Sequence, residues 1–431
     1  MGPQQSGHDV SVTLADQILP LVRTRTDLHR WRAANDYGFQ LHEAVTLLQD
    51  AAESEPPAEV LAVTQKAIAS ACKVIMRADD SSGIIGGAIR DLLNLHAQLA
   101  PIAPPPYRKL VDWMIRFQFD NECDFFEIDP VAYAPALGEP GLAAYRARLD
   151  EIAAGVTPDL SDEQRRNLWS TDRGAWNRVI EEDRARFVLA WNDRRLAVWD
   201  RDLEAIIATH SRDRKVAAWL KNTAEALAEI DEFDLAIDWA RQATFFDLGH
   251  QAASASQYWC TLLAEHRPDD ELPAWLEVFR RWPTSSNATA LYQRAGDAWP
   301  TYADEVMAAL KLRPREAVGF ALYGLDDLTL AWSLAHSLSL DDSGLWQELA
   351  KRYEKVEPLA VLPIYTELVL ADLQHADAGF YRSAARRLAR MRKLASGSSE
   401  ADRVEELIAH LQESHRRRPR LQLEFDKAGL P

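Results

Sequence analysis

Cysteine is scarce in this sequence, and its scarcity excludes two classes of protein. The chain has 431 residues but only three cysteines, Cys72, Cys123 and Cys260, with no Cys-x-x-Cys pair among them. A disulfide framework and a cysteine-rich zinc site are therefore excluded, and this usage is typical of a reducing compartment. We accordingly expect a cytoplasmic protein.

Long apolar runs and positive charge are also lacking. No uninterrupted apolar stretch is long enough to span a bilayer, so we expect no membrane-spanning helix. Lysine and arginine number 49 against 66 aspartates and glutamates, which gives a formal net charge of −17. Because nucleic-acid binding needs a basic surface, this balance disfavours nucleic acid as a partner and favours other proteins.

The common catalytic signatures are missing as well. The sequence contains no G-x-x-x-x-G-K-[ST], no G-x-S-x-G and no G-x-G-x-x-G. His42 and Glu43 begin an H-E-x-x-H motif, but Thr46 stands where the second histidine would be. Because these motifs are absent, we assign no catalytic residue, cofactor or metal site on the basis of a known motif.

Helical periodicity is what the sequence has in abundance. Apolar residues recur every three or four positions along most of the chain, as amphipathic helices require. In 107–119, for example, Leu110, Val111, Met114 and Ile115 share one face. No series of alternating strands and no Asn-Gly or Asp-Gly hairpin turn is found. The sequence predicts an all-α fold.

Two breaks in this periodicity divide the chain. Residues 100–107 form a proline-rich connector, and the polar stretch 153–169 contains Gly155 and Pro158. The predicted parts are a flexible leader at 1–10, an N-terminal helical domain at 11–155, a helical-repeat solenoid at 160–412 and a basic C-terminal tail at 413–431.

The second domain carries signs of repetition. Tryptophans recur at a spacing of 20, roughly one helix and its turn, at Trp199, Trp219, Trp239 and Trp259. Residues 218–244 and, more loosely, 345–373 place small alanines opposite large apolar residues, as closely packed helical hairpins require. We therefore predict a helical bundle domain followed by a divergent tetratricopeptide-like α-solenoid.

The stretch 77–93, "RADDSSGIIGGAIRDLL", is the first candidate site. A phosphate-binding loop would need a preceding strand and a lysine after the last glycine, and both are missing. We interpret Asp80 or Ser81 as the cap of the following helix. The alternative is that these residues and Asp79 form a ligand or metal site. Glycines inside a helix are costly, so at Gly86-Gly87 we expect a closely packed helix or another group that approaches the backbone.

The second candidate is the acidic stretch 117–130, "FQFDNECDFFEIDP". Its carboxylates could hold a hard cation such as Mg²⁺ or Ca²⁺, although EF-hand spacing is absent. We favour a solvated connector that four phenylalanines anchor to the core. A metal site would gain support if Asp79 and Asp80 lay beside Asp120. The carboxylates are Asp120, Glu122, Asp124, Glu127 and Asp129, and the anchors are Phe117, Phe119, Phe125 and Phe126.

The third candidate is a basic cluster near the C-terminus. It is formed by Arg416, Arg417, Arg418 and Arg420. Such a cluster could contact phosphate or an acidic partner. We favour the plainer interpretation, in which positive charge stabilises a helix C-terminus and Pro419 marks its stop.

Several of these stretches resemble a known group of proteins. "ADDSSGIIGGAIRDLLNLHAQL", "WMIRFQFD" and "FFEIDPVAYAPALGEPGLAAYRARLDEI" resemble the helical region of bacterial SWIM zinc finger proteins and of related uncharacterised families common in actinobacteria. The ending "FYRSAARRLARMRKL…HRRRPRLQLEFDKAGL" resembles their C-terminus. The likeness covers about 60–155 and 375–430.

The zinc finger itself is missing, because a SWIM finger requires Cys-x-Cys followed by Cys-x-His. Zinc binding does not carry over, and the resemblance implies only a companion helical scaffold without assigned catalytic residues.

Taken together, these features favour a non-catalytic scaffold or adaptor that binds an unidentified protein partner through a helical-repeat surface. One alternative is an enzyme or regulated subunit with a carboxylate metal or nucleotide site around Asp79, Asp80 and Asp120. A weaker alternative is association with nucleic acid through the arginine cluster.

Overall fold

The chain is all-α over the residues that the structure describes, which confirms the predicted fold class. The computed structural model describes residues 13–120, 123, 125–157, 159–171 and 173–430. This part contains helices and no β-strand, and an isolated bridge joins the loop residues Leu28 and Ala78. The predicted leader at 1–10 lies outside the described residues.

Two compact units make up the chain, Met1–Trp239 and Ala240–Pro431. Separate clusters of buried apolar side chains lie within residues 18–196 of the first unit and 350–430 of the second. The domain bounds predicted from the sequence, 11–155 and 160–412, stay a prediction.

Eleven of the described helices begin in the N-terminal unit. They are α1 (Leu14–Val22), α2 (Trp31–Ser54), α3 (Pro57–Ile75), α4 (Ile84–Ile102), α5 (Tyr107–Phe119), α6 (Pro130–Gly155), α7 (Asp162–Thr171), α8 (Arg173–Trp199), α9 (Leu203–Ser211), α10 (Ala217–Glu229) and α11 (Phe233–Thr244).

Eleven more of the described helices follow in the C-terminal unit. They are α12 (His250–His266), α13 (Pro268–Arg281), α14 (Ser285–Ala295), α15 (Pro300–Lys311), α16 (Pro314–Gly319), α17 (Leu328–Ser337), α18 (Ser343–Tyr353), α19 (Leu362–Leu373), α20 (Ala378–Ala395), α21 (Ala401–Ser414) and α22 (Pro419–Lys427). A 3₁₀ turn at Gly296–Ala298 and a π-helical turn at Phe320–Gly324 connect some of them.

Helix α5 shows why the apolar spacing produces this fold. Leu110, Val111, Met114 and Ile115 are all buried, as their shared face predicts. Removing each such side chain from water stabilises the fold by roughly 1.5–3 kcal/mol. The proline-rich connector separates two helices as predicted, because α4 ends within it at Ile102 and Pro106 directly precedes the first residue of α5.

Helices α2 and α4 approach each other closely at Gly38. A Cβ atom added to Gly38 of α2 would lie 2.4 Å from Cγ2 of Ile84, the first residue of α4. No side chain fits into so short a distance, so Gly38 lets the two helices approach each other.

Neighbouring helices in sequence pack against each other in the C-terminal unit. Helix α13 contacts α12 and α14, and α17, α18, α19 and α20 pack in order. Helix α22 then returns to α20, where Leu421 and Phe425 enter the core. The predicted basic tail at 413–431 thus contains a packed helix.

Candidate binding cleft and predicted site residues

Asp80 caps the start of α4, as the sequence predicted. Its Oδ1 accepts a hydrogen bond from the backbone N–H of Ile85 at 2.9 Å, and its Oδ2 accepts one from Gly86 at 2.8 Å. Helix N-termini leave such donors without intrahelical partners, and a carboxylate there also suits the helix dipole. Beside it, Oδ1 of Asp79 accepts a bond from the backbone N–H of Ser81 at 3.3 Å.

The Asp80 carboxylate also explains one of the two helical glycines. A Cβ atom on Gly86 would lie 3.2 Å from Oδ2 of Asp80, whereas one on Gly87 would lie 3.8 Å from Nε2 of His42, an ordinary contact. The expectation of a closely packed helix at this pair is therefore wrong. At Gly86 the group that approaches the backbone is the Asp80 carboxylate, which accepts the hydrogen bond of its N–H.

The acidic stretch 117–130 is partly described. Asp120 follows the last residue of α5, while Glu122 and Asp124 lie outside the described residues. Phe117 and Phe126 are buried and Phe119 packs against the core, as predicted, but Phe125 is 51% exposed. The prediction that all four phenylalanines anchor this stretch to the core is therefore wrong for Phe125.

The two acidic stretches approach each other through aromatic side chains. Phe125 and Phe126 line a cavity of about 390 Å³ together with Asp80, Gly86 and Arg90. The Arg90 guanidinium lies 5.6 Å from the centroid of the Phe126 ring. Within the described residues, no group of three or more His, Cys, Asp or Glu side chains is placed to hold a metal ion.

Asp129, the last carboxylate of the acidic stretch, belongs to an ion-pair cluster around the buried Arg195. It caps α6 by accepting a bond from the backbone N–H of Val131 at 3.0 Å. Both of its oxygens also accept bonds from Arg195 of α8, at 3.0 and 2.8 Å, and Arg195 donates two more to Glu229 of α10, at 3.0 and 2.7 Å. Sequence reasoning missed this cluster, because Arg195 lies in a run of charged residues on α8.

A closed ring of buried hydrogen bonds was also missed. Gln118 of α5 donates to the Tyr145 hydroxyl of α6 at 2.6 Å, and that hydroxyl donates to Oδ1 of Asn192 at 2.6 Å. The side-chain amide of Asn192, on α8, donates back to Oε1 of Gln118 at 3.0 Å. The ring satisfies three buried polar groups and joins three helices.

The arginine cluster is divided among different roles. Arg416 pairs with Glu413 at 2.6 Å, and Nη1 of Arg418 donates to the carbonyl of Leu373 at 2.7 Å, at the end of α19. Arg417 and Arg420 are exposed. The prediction of a charged helix C-terminus that stops at Pro419 is wrong, because α21 ends at Ser414 with no basic residue in its last turn and Pro419 opens α22.

The C-terminal unit contains a cleft that the sequence did not indicate. It lies between α19 and α21, both of which pack against α20, and its volume is about 870 Å³. Leu362 of α19, Met391 of α20 and Val404 of α21 are buried in its lining, and Leu359 and Leu407 are more exposed. We call it the α19–α21 cleft.

Charged side chains surround this apolar lining. Glu367 of α19 and Glu406 of α21 are exposed, and neither has a cation within 4.0 Å in the described part of the chain. Glu400 and Arg403 pair with each other at 3.5 Å. The cleft therefore combines apolar side chains with two unbalanced carboxylates, one on each flanking helix.

A comparison with protein families matches residues 2–420 to a family of unknown function, DUF6880. The chain belongs to this family. No curated protein matches the sequence of this DUF6880 member. None of its described helices is both long and apolar enough to cross a membrane.

Proposed function

We propose that this DUF6880 member is a cytoplasmic, non-catalytic scaffold or adaptor that binds a protein partner. The α19–α21 cleft carries the proposal, because a large apolar recess bordered by charged residues is typical of a binding site. A cleft whose lining comes from three helices can accept a partner segment without rearrangement of the core.

The spacing of the helices supports a repeat architecture for this scaffold. Helices α10, α12 and α14 begin at residues 217, 250 and 285, so the starts of these alternate helices are 33 and 35 residues apart. Tetratricopeptide repeats have a period of about 34 residues. Our proposal of a divergent tetratricopeptide-like solenoid rests on this period, and the resemblance to the helical region of SWIM zinc finger proteins is consistent with a scaffold.

The alternatives receive less support from the described contacts. An enzyme or regulated subunit with a metal or nucleotide site would use Asp80, yet both of its oxygens already accept backbone hydrogen bonds. Association with nucleic acid would use the arginine cluster, in which Arg416 and Arg418 already have partners within the chain.

Capture of partners by matched variants tests the scaffold proposal. The full chain is tagged and incubated with lysate of the source organism, beside Leu359→Asp and the control Leu312→Asp. Leu359 lines the cleft and is 37% exposed, whereas Leu312 is 84% exposed at the end of α15. We expect wild type and control to capture the same proteins and Leu359→Asp to lose most of them, because a charge in the cleft opposes apolar docking.

Mass spectrometry of the captured proteins reads the result, with circular dichroism to verify that each variant is folded. Capture that does not depend on Leu359, or no specific capture by wild type, would contradict the proposal.

A further inference from the structure

We propose that the occupant of the α19–α21 cleft is a short amphipathic α-helix of a partner protein. Its apolar face would carry the anchors, with lysine or arginine on either side of them. This inference rests on the proposed function, since it names the chemistry of the partner that the scaffold binds.

The position of the cleft favours a helix as the occupant. Helices α19 and α21 both pack on α20, and the cleft separates them above Met391. A further helix laid between α19 and α21 would bury Leu359 and Leu407 by ordinary helix packing, in which axes lie about 8–10 Å apart. An extended peptide usually adds to the edge of a sheet, and the described residues contain no strand.

The carboxylates at the cleft favour a basic partner. Glu367 and Glu406 stand on opposite flanking helices, so a helix between them would have a carboxylate on each side. Lysine or arginine beside the apolar anchors would meet these charges, whereas aspartate or glutamate would be repelled. A second copy of this chain fits poorly, because each copy has a formal net charge of −17.

The distribution of polar groups disfavours a small molecule. Pockets for small molecules place a few polar groups where they converge on the ligand. Here the buried part of the lining is apolar, with Leu362, Met391 and Val404, while Glu367 and Glu406 are exposed. This arrangement matches an interface with an apolar centre and a charged rim.

Binding of designed peptides to the full chain tests this inference. A fluorescent peptide of about 18 residues, or five helical turns, carries leucines at i, i+3, i+4 and i+7 with lysines beside them. One counterpart replaces the lysines with glutamates, and another has a central proline that breaks the helix. Fluorescence anisotropy gives the affinity of each peptide.

We expect the lysine peptide to bind the wild-type chain at least about tenfold more tightly than either counterpart. The double variant Glu367→Lys/Glu406→Lys should reverse the preference toward the glutamate peptide. The control Asp304→Lys/Asp426→Lys makes the same change in net charge at exposed positions outside the cleft and should leave the preference unchanged.

Three results would overturn the inference: no binding of the lysine peptide, equal binding of the lysine and proline peptides, or a preference that the double variant does not reverse. If the peptide test fails but the wild-type chain still captures lysate proteins that Leu359→Asp loses, only the proposed chemistry of the occupant is wrong. If capture also fails, the scaffold proposal fails with it.

Discussion

Asp80 and Gly86 act as a pair at the start of α4. The carboxylate accepts the backbone N–H of Gly86, and a methyl group on that residue would lie 3.2 Å from the accepting oxygen. Gly87 has no such neighbour, since its nearest contact would be ordinary. Two adjacent glycines that look equivalent in the sequence therefore differ in what an alanine would do.

Alanine at each glycine measures this difference. Gly87→Ala should stabilise the N-terminal unit by about 1 kcal/mol, the usual preference for alanine over glycine in a helix. Gly86→Ala should give no such gain, because it displaces the Asp80 cap. Urea unfolding followed by circular dichroism gives both values.

The control for this pair is an Asp80→Ala background, in which Gly86→Ala should regain its stabilising effect. Equal gains for the two alanines in the wild-type background would show that the cap tolerates the added methyl group.

His96 is a buried titratable residue of the same helix. Its Nδ1 lies 3.0 Å from the Tyr133 hydroxyl, and its ring centroid lies 4.2 Å from that of Trp113. Burial among these groups lowers the pKa of His96 from 6.5 to about 4. The unfolded chain therefore binds a proton between these pH values that the folded chain does not, so acidification favours unfolding.

The free energy of unfolding should fall as the pH drops from about 6.5 to 4, by up to about 1.4 kcal/mol per pH unit for this residue. Burial also lowers the pKa of His210 to about 4, so it adds to the slope. His96→Gln should reduce the slope, whatever it does to stability at neutral pH. Urea titrations at several pH values measure this, and an unchanged slope in the variant would refute the role of His96.

At the scale of elements, Arg195 connects α8 to the start of α6 and to α10. Its side chain is only 10% exposed, and its two carboxylate partners, Asp129 and Glu229, are 37% and 44% exposed. Removing the cation from such a cluster leaves partly buried negative charges together, which is costly. The cluster therefore holds the acidic stretch against two helices.

Arg195→Met should destabilise the N-terminal unit by about 2 kcal/mol, less than the loss for a fully buried ion pair, because both carboxylates stay partly hydrated. The matched control is Arg146→Met, whose pair with Asp200 is 39% and 46% exposed and should be worth about 0–1 kcal/mol. Tryptophan fluorescence during urea unfolding reads both variants. Equal losses would mean that the cluster is no stronger than a surface pair.

At the scale of the whole molecule, the fold class followed from the sequence because helical periodicity is a local property. The buried face of α5 and the proline connector before it depend on residues close together in the chain. The capping role of Asp80 was predictable for the same reason, since the carboxylate acts on donors five and six residues away.

The cleft and the buried clusters were not predictable from local patterns. The cleft lining comes from α19, α20, α21 and the segment before α19, so it exists only once these helices pack. Arg195 meets Asp129 across 66 residues of chain, and no spacing rule connects such distant positions. Charge and periodicity are properties of one segment, whereas these sites form only where distant segments pack together in the fold.

The burial of all three cysteines has a practical consequence for labelling. Cys72, Cys123 and Cys260 lie inside the described part of the fold, and burial raises the pKa of Cys260 to about 12. Thiol reagents attack the exposed thiolate, so the native cysteines should react slowly. Ser399→Cys would then offer a dye an accessible thiol at the α19–α21 cleft without removing either carboxylate, and a fluorophore there would report directly when the cleft is filled.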